Sequence, residues 1–330
     1  MPSVRSTPVF LSCVGAAALM FCGAVQAAKI TIFDPQGSIA TFPSAINRSG
    51  TITGQYEDSS GALHGFLRAS DGTITIFDSP AIRDTEPSAI NDSGMIAGWY
   101  GEVHGFVRTS DGTLISFDAP GATETIPYGI NSSGTVVGRD SDNSGNHGFV
   151  RAPDGTITSF DVPDAFDVYP NAINDHGTIV GTYYDHFATR HGFVRTPNGN
   201  TTSFDPPGSV ATDADDINNS GTIAGDYSDG FKGSGFLRAP DGTITSFDYS
   251  QRAIYTGPHA IDDVGAVTGS YSNRREVIRG FVRAADGTMT SFGKAGSQEF
   301  TPVDINRKGT VTGYFRVGNA AHGFVGRPDK

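Results

Sequence analysis

The sequence contains only two cysteines, Cys13 and Cys22, and both lie within the first 27 residues. If those residues are cleaved off, the mature protein can form no disulfide bond and offers no thiol nucleophile. The sequence also lacks a helical spacing of apolar residues along most of its length. These absences exclude a disulfide-stabilised fold and a cysteine-dependent enzyme.

Residues 1–27 have the features of a secretory signal peptide. Arg5 is a lone positive charge, the run Val9–Val25 is apolar, and Ala27 is a small residue suited to a cleavage site. The run is too short for a membrane anchor. A lipoprotein signal that ends at Cys22 is the alternative, although the bulky residue before the cysteine disfavours it. We therefore expect a secreted protein, periplasmic or extracellular, cleaved near Ala27.

Positive charge is also scarce. Lys and Arg number 23 against 35 Asp and Glu, which gives a net charge of −12. An acidic surface repels phosphate backbones and anionic lipids. We therefore expect no nucleic-acid partner and no membrane insertion, and we expect a monomer.

Glycine is abundant, with 43 residues, and one unit of sequence recurs throughout residues 28–330. The stretch Ile90–Gly121 represents this unit. Its asparagine recurs every 40 to 44 residues, and these positions number the repeats from one to seven: Asn47, Asn91, Asn131, Asn174, Asn218, Asp262 and Asn306. A period in the low forties is typical of a ring of small β-sheets. We therefore predict one domain built from seven repeats.

Each repeat contains four short strands. In repeat two, Ile90 ends strand one, and Asn91–Gly94 form a β-turn in which glycine accepts a positive φ. After strand two, a variable loop leads to strand three at His104–Arg108, and Asp111-Gly112 turns the chain into strand four. Four antiparallel strands are the content of one propeller blade. The sequence therefore predicts an all-β fold, a seven-bladed β-propeller.

The two ends of the mature chain complement each other. Lys29–Asp34 matches strand four of the repeat without the first three, and His322–Val325 matches strand three without a fourth after it. A last blade that combines both segments leaves no large sheet edge exposed. We therefore expect the strand at residues 29–34 to complete the last blade and close the ring.

In most repeats a histidine opens strand three and an aspartate ends strand four. Pairing across the Asp-Gly turn places the two side by side, as His64/Asp78, His104/Asp118, His147/Asp161, His191/Asp205 and, between the chain ends, His322/Asp34. A pair repeated around a ring cannot be a single active site. We therefore interpret these pairs as structural ties between strands.

The recurring pattern is Ile-Asn-x-x-Gly, then His-Gly-Phe-x-Arg, then Asp-Gly-Thr-x-Thr-Ser-Phe-Asp, followed in repeat two by an Ala-Pro-Gly-Ala segment. It resembles the HAF repeat of secreted bacterial proteins over residues 29–326. The sequence departs from that repeat at Ser234, Arg279 and Gly293, and glycine replaces the central alanine of the family motif. The resemblance implies an extracellular, β-propeller-like protein, and it carries over no catalytic residue.

The long, irregular connections of all repeats fall on one face of the predicted ring, called here the loop-rich face. Two sets of positions vary there. The first enters the innermost strand: Ser44, Ser88, Tyr128, Asn171, Asp215, His259 and Val303. The second follows the glycine of strand two: Gln55, Trp99, Arg139, Thr182, Asp226, Ser270 and Tyr314. Irregular loops on a rigid scaffold favour binding, and aromatic and polar side chains suit a sugar or a peptide. We predict that Trp99, Tyr128, Arg139, Asn171 and Tyr314 bind ligand; the alternative is that they are only solvated.

The sequence contains no G-x-S-x-G, H-E-x-x-H or P-loop motif. The candidates for acid–base chemistry are Asp215, Asp226 and His259, which are predicted to lie on the loop-rich face. A structural role is the alternative for each of them.

One segment resembles a calcium loop, because Asp140, Asp142 and Ser144 place oxygen ligands at alternate positions before a glycine. The twelfth position is Arg151 and not a glutamate, which excludes an EF-hand. A polar turn is the alternative to weak Ca²⁺ binding. We expect no other cofactor.

Three classes of function are therefore compatible with the sequence, and the third of them is a purely structural component of the cell envelope. The first is a non-enzymatic secreted propeller that binds a glycan, peptide or protein partner through its loop-rich face. The second is a secreted hydrolase or lyase with an acid–base site at the axis. The lack of a catalytic motif favours the first.

Overall fold

The computed structural model describes residues 29–79, 84–101, 103–274 and 277–327. The predicted signal peptide lies outside these described residues. Within them the secondary structure consists of strands and turns. None of the described residues belongs to a helix long and apolar enough to cross a membrane.

The strands are numbered along the chain. Those up to residue 120 are β1 (Lys29–Phe33), β2 (Ser38–Ile46), β3 (Ile52–Asp58), β4 (Leu63–Arg68), β5 (Ile74–Phe77), β6 (Thr85–Ile90), β7 (Ile96–Tyr100), β8 (His104–Arg108) and β9 (Leu114–Phe117). Those up to residue 204 are β10 (Glu124–Ile130), β11 (Val136–Asp142), β12 (Gly145–Arg151), β13 (Ile157–Phe160), β14 (Ala165–Ile173), β15 (Ile179–Asp185), β16 (Arg190–Arg195) and β17 (Thr201–Phe204). The rest are β18 (Ala211–Ile217), β19 (Ile223–Ser228), β20 (Gly233–Arg238), β21 (Ile244–Phe247), β22 (Ala253–Ile261), β23 (Val267–Asn273), β24 (Arg279–Arg283), β25 (Met289–Phe292), β26 (Glu299–Ile305), β27 (Val311–Val317) and β28 (Ala320–Arg327).

The strands form small antiparallel sheets, as predicted. Repeats two to six each form one four-stranded sheet in chain order: β6–β9, β10–β13, β14–β17, β18–β21 and β22–β25. The remaining strands form one eight-stranded sheet in the order β26-β27-β28-β2-β3-β4-β5, with β1 paired to β28. In that sheet β2 and β28 are joined by one parallel bridge, between Ala40 and Ala321. β1 runs antiparallel to β28, from Lys29 opposite Arg327 to Phe33 opposite Gly323.

The hydrophobic core lies between neighbouring sheets. Strand three of every repeat contributes a phenylalanine with no exposed surface: Phe66, Phe106, Phe149, Phe193, Phe236, Phe281 and Phe324. Phe106, for example, packs with Ile90 and Ile96 of its own sheet and with Phe77 of the preceding repeat. Burying one such ring stabilises the fold by about 2–3 kcal/mol. Each sheet therefore depends on its neighbour for its core.

The predicted histidine–aspartate pairs all form. The distances from Nδ1 to the carboxylate lie between 2.6 and 3.0 Å for His64/Asp78, His104/Asp118, His147/Asp161, His191/Asp205 and His322/Asp34. In repeat five, where serine replaces the histidine, Ser234 donates to Asp248 at 2.9 Å. The pairs tie strand three to strand four, so their interpretation as structural ties is confirmed.

The asparagine of each repeat makes contacts within its own turn and with the next repeat. In repeat one, Asn47 Oδ1 accepts the Thr51 amide at 3.0 Å, and Asn47 Nδ2 donates to the carbonyl oxygen of Asn91 at 3.2 Å. The same donation, at 3.0 to 3.2 Å, links each later asparagine to the turn of the following repeat, and Asn306 donates back to Asn47. These buried side chains form a ring of hydrogen bonds around the axis, called here the asparagine ring.

Asp262 interrupts the asparagine ring. Its Oδ1 accepts the amides of Val264 and Ala266, as the asparagines do in their own turns. Its Oδ2 occupies the position of the donating amide nitrogen, and this buried oxygen has no hydrogen-bond partner. Burial raises the pKa of Asp262. A buried carboxylate without a donor destabilises the junction between repeats six and seven.

We predict that Asp262→Asn stabilises the protein by about 1–3 kcal/mol, because it restores the missing donor. The gain should depend on pH. The pKa of Asp262 is raised by folding, so its unfavourable charge is absent below the ordinary aspartate pKa and develops as the pH rises through the folded value. Denaturant unfolding at pH 5 and pH 8 should therefore show the larger gain at pH 8.

The matched control is Asn218→Asp, which introduces the same defect at the equivalent position of repeat five and should destabilise the protein. An Asp262→Asn protein no more stable than wild type at pH 8 would contradict the role assigned to the asparagine ring.

Candidate functional site

The first variable set of residues sits on β-bulges. In every repeat the register of strand one against strand two shifts two residues before the isoleucine, as between Pro127 and Gly129 in repeat three. A bulge redirects the side chain of the extra residue. The seven bulged residues are Ser44, Ser88, Tyr128, Asn171, Asp215, His259 and Val303, and they all line one open cavity. This space at the loop-rich end of the axis is called here the axial cavity.

A tyrosine-lined cleft adjoins the axial cavity. It lies between repeats three, four and five, is open to solvent, and is lined by Tyr128, Tyr169, Asn171, Thr182, Tyr184 and Asp213. Tyr128 and Asn171 line both spaces. Two of the five predicted ligand-binding residues are therefore brought together at the junction of the cleft and the cavity.

Arg139 and Trp99 support Tyr128 from the side. Arg139 Nε donates to the Tyr128 hydroxyl at 3.0 Å, and its guanidinium forms an ion pair with Glu124 at 3.0 Å. The indole ring of Trp99 lies edge to face with Tyr128, with ring centroids 6.4 Å apart. Both residues contact Tyr128, but neither is among the described residues that line the axial cavity or the tyrosine-lined cleft.

Tyr314 lies in repeat seven, apart from this group. Its hydroxyl donates to Glu299 at 3.0 Å, and its ring packs edge to face on Phe42 at 5.3 Å. It does not line the axial cavity or the tyrosine-lined cleft as described. The structure therefore does not bring Tyr314 together with Tyr128 and Asn171.

Two of the bulged residues connect neighbouring repeats. Asn171 Nδ2 donates to the carbonyl oxygen of Ala214 at 2.9 Å. His259 Nδ1 lies 2.5 Å from the carbonyl oxygen of Pro302, and its Nε2 lies 3.3 Å from Ser270 Oγ. Burial lowers the pKa of His259, so the imidazole is neutral at pH 7 and donates through Nδ1. Both residues combine a structural contact with a position in the cavity wall.

Repeat five gives the site its acidic side. Asp213 and Asp226 are direct cross-strand partners, and Asp215 is the bulged residue beside them. Arg190 from repeat four forms an ion pair with Asp213 at 2.5 Å. Burial, together with the neighbouring carboxylates, raises the pKa of Asp226 to about 7 and that of Asp215 well above its ordinary value. One or both of these carboxyl groups therefore carry a proton near neutral pH.

The predicted acid–base candidates are only partly brought together. Asp215 and Asp226 interact electrostatically, and Tyr255 from repeat six donates to Asp226 at 3.4 Å. Asp215 Oδ2 is buried and has no hydrogen-bond partner. His259 also lines the axial cavity, but its described hydrogen bonds go to Pro302 and Ser270 and not to either aspartate. A proton could be held by the carboxyl pair without the histidine.

The oxygen atoms of the predicted calcium loop make separate contacts. Asp140 is buried and accepts Ser159 Oγ at 2.8 Å. Asp142 Oδ1 accepts the amide and the hydroxyl of Ser144, at 2.7 and 2.5 Å, and lies 3.2 Å from His147. Across the described ranges, no three His, Cys, Asp or Glu side chains are grouped to hold a metal ion. Calcium binding at this loop stays a prediction.

Several residues of the site were not singled out from the sequence. Three of them are Tyr169, Tyr184 and Tyr255, which lie a few residues from members of the two variable sets. Arg190 is the first residue of β16. Asp304 and Asp216 replace the alanine or glycine found before the isoleucine in other repeats, and each accepts an amide of the following repeat, at 2.7 and 2.8 Å. Of these residues, only Asp216 and Asp304 can be recognised in the sequence, because each is a charged residue where the other repeats have alanine or glycine.

No family model matches the sequence, and no curated protein matches it. Solved structures do match. Streptogramin B lyase aligns with a TM-score of 0.63 and 15% identity, over 90% of this chain and 97% of its own. A catalytically inactive His-to-Ala variant of virginiamycin B lyase from Staphylococcus aureus, solved with quinupristin, aligns with a TM-score of 0.62 and 15% identity, over 90% and 99%. The β-propeller domain of the Trilobed protease from Pyrococcus furiosus aligns with a TM-score of 0.60 and 10% identity, over 88% and 95%.

Identities this low show the fold alone. The alignments span nearly all of each propeller, and the chain has the same organisation of small antiparallel sheets. The predicted fold class is confirmed at this level: the chain is an all-β protein with the β-propeller fold.

Proposed function

We propose that the protein is a secreted binding module that holds a glycan, peptide or protein ligand at the loop-rich end of its axis. The observation that carries this proposal is the axial cavity. The seven bulged residues differ from repeat to repeat, while the turns, the core phenylalanines and the asparagine ring recur. The seven bulges form with six different kinds of side chain, so the scaffold does not require any one of them. A position that accepts different side chains is available for recognition, even where one of them, such as Asn171 or His259, also contacts the next repeat.

The composition of the site suits a polar ligand with flat or ring-shaped parts. Tyr128, Tyr169 and Tyr184 present aromatic faces, while Asn171 and Thr182 offer polar atoms between them. Aromatic side chains with a few convergent polar groups are common in sites for sugars and peptides.

We also propose secretion and membership of the HAF repeat group. Both proposals rest on the sequence patterns, namely the signal-like residues 1–27 and the recurring His-Gly-Phe and Asp-Gly-Thr motifs. A secreted acidic module without cysteine in its mature part is consistent with an extracellular binding role.

We further propose that the propeller has seven blades and that β1 is the fourth strand of the last blade. A contact between consecutive repeats supports this. The arginine that ends strand three lies over the phenylalanine of strand four in the preceding repeat, as Arg108 over Phe77 at 4.8 Å. Arg68 of repeat one lies over Phe33 of β1 at 4.9 Å, so β1 stands where the fourth strand of a preceding repeat would. The eight-stranded sheet is then two blades joined by a single bridge.

Removal of Lys29–Asp34 tests this closure. The deletion removes the pairing with β28 and the buried ring of Phe33, so we expect a loss of about 3 kcal/mol or more in the free energy of unfolding. Ile32→Thr is the control, because Ile32 is exposed and its substitution keeps the strand. A truncated protein as stable as wild type would show that β1 is not part of the ring.

The binding proposal is tested by screening the mature protein against a glycan array and peptidoglycan fragments, with and without Ca²⁺. We expect a ligand whose affinity falls at least about tenfold in Tyr128→Ala, which removes the ring shared by the cavity and the cleft. The matched control is Asp92→Asn, a substitution at the opposite end of the axis. Equal losses in both variants, or a ligand indifferent to Tyr128, would contradict the proposed site.

An acid–base enzyme is the second candidate, because Asp215 and Asp226 are a carboxyl pair with raised pKa values beside the cavity. In that case a bound ligand should be degraded, and Asp215→Asn should abolish turnover while leaving binding within a few fold. A ligand recovered intact after long incubation would favour the binding module.

A further inference from the structure

Two phenylalanines project from the loop-rich face with almost no contact to the protein. Phe187 is 89% exposed in the loop between β15 and β16, and Phe231 is 97% exposed in the loop between β19 and β20. The loops belong to neighbouring repeats, four and five. An exposed phenylalanine forgoes about 2 kcal/mol of burial free energy. Two of them on adjacent loops require an explanation.

The turns that carry these rings do not require phenylalanine. In repeat four, Asp185 Oδ1 accepts the amide of Phe187 at 2.8 Å, and in repeat five Asp229 Oδ1 accepts the amide of Phe231 at 2.8 Å. The same contact forms in repeats one and three with serine in the equivalent place, between Asp58 and Ser60 and between Asp142 and Ser144, both at 2.7 Å. Serine is therefore sufficient to form this turn, and the turn does not explain the two phenylalanine rings.

Further apolar surface surrounds the two loops. Phe166 is 55% exposed at the start of repeat four, where its ring meets that of His186, and Val210 is 56% exposed at the start of repeat five. Phe166 and His186 also line an open groove that includes Tyr184 of the tyrosine-lined cleft. We call Phe166, Phe187, Val210 and Phe231 the phenylalanine rim. The rim therefore leads into the proposed site.

The charges around the rim are mainly negative. Asp185 and Asp229 accept backbone amides, which hold their pKa values below the ordinary range, so both are ionised. The local cations are already paired, Arg190 with Asp213 at 2.5 Å and Lys232 with Asp248 at 2.6 Å. Asp167 adds a further carboxylate in the wall of the groove. The surface combines exposed apolar rings with excess negative charge.

We propose that the phenylalanine rim docks a peptide segment of a partner protein that alternates basic and apolar side chains. The apolar side chains pack on the rim, and the basic ones face the carboxylates of repeats four and five. A second copy of this chain is disfavoured because it brings the same negative charge, and an anionic lipid surface is disfavoured for the same reason. The inference rests on the proposal that the loop-rich face is the binding face, and it names the ligand class.

The test measures binding of a fluorescently labelled short peptide of alternating lysine and leucine to the mature protein. Peptides of lysine with serine and of glutamate with leucine are the probe controls. We expect the lysine–leucine peptide to bind more tightly than either control. In the double variant Phe187→Ser/Phe231→Ser its affinity should fall at least about tenfold. The variant carries the serines that repeats one and three already tolerate, so its melting temperature should match wild type.

The matched control variant is Val264→Ser/Val317→Ser, which removes two exposed apolar residues from repeats six and seven and should leave the affinity unchanged. A double phenylalanine variant that binds like wild type would overturn the rim proposal. If Tyr128→Ala alone weakened the same peptide, the proposed axial site would survive that result. A wild-type dimer that becomes monomeric in the double variant would assign the rim to a second copy, and rim-dependent binding to phosphatidylglycerol vesicles would assign it to lipid.

Discussion

The structure depends on the side-chain amide of the recurring asparagine, which makes hydrogen bonds both within its own turn and with the next turn. Each ring asparagine accepts the amide of its own turn through Oδ1 and donates through Nδ2 to the next turn, as Asn131 does toward Asn174. A single four-stranded sheet of this size cannot bury its apolar face alone. The face is buried because the neighbouring sheet packs on it, as Phe77 of one repeat packs on Phe106 of the next. The asparagine ring adds a hydrogen bond between the turns of neighbouring sheets. It lies at the end of the axis opposite the loop-rich face, where Asn91 and Asn131 line a second opening.

The two ends of the axis have different roles, and this explains the position of the proposed site. The turns with asparagine and glycine are uniform and hold the ring, so they have little freedom to vary. The bulges at Tyr128, Asn171 and Asp215 direct side chains into the cavity without disturbing the hydrogen bonds that surround them. The irregular loops at the same end then extend the surface outward to the phenylalanine rim. Substitutions at bulges and loop tips alone would then be enough to change the ligand of the proposed site.

The sequence was sufficient to predict the repeat, the four strands within it and the histidine–aspartate ties, since each follows from local turn chemistry and strict period. It also located the two variable sets of residues. It could not show which members of a set meet, because that depends on the bulge and on the twist between sheets: Tyr128 reaches Asn171, while Tyr314 packs on Phe42. The raised pKa of Asp226 could not be predicted from the sequence either, because it arises from burial and from Asp213 on the facing strand.

The most direct test of the account is hydrogen–deuterium exchange of Asn131→Ala compared with wild type. Backbone amides should exchange faster in the turn of repeat three. They should also exchange faster in the Asn174 turn of repeat four, because that turn loses the hydrogen bond donated by Asn131. The turn at Asn306, on the far side of the ring, should keep its protection. Faster exchange confined to the substituted turn would contradict the claim that asparagine side chains couple one repeat to the next.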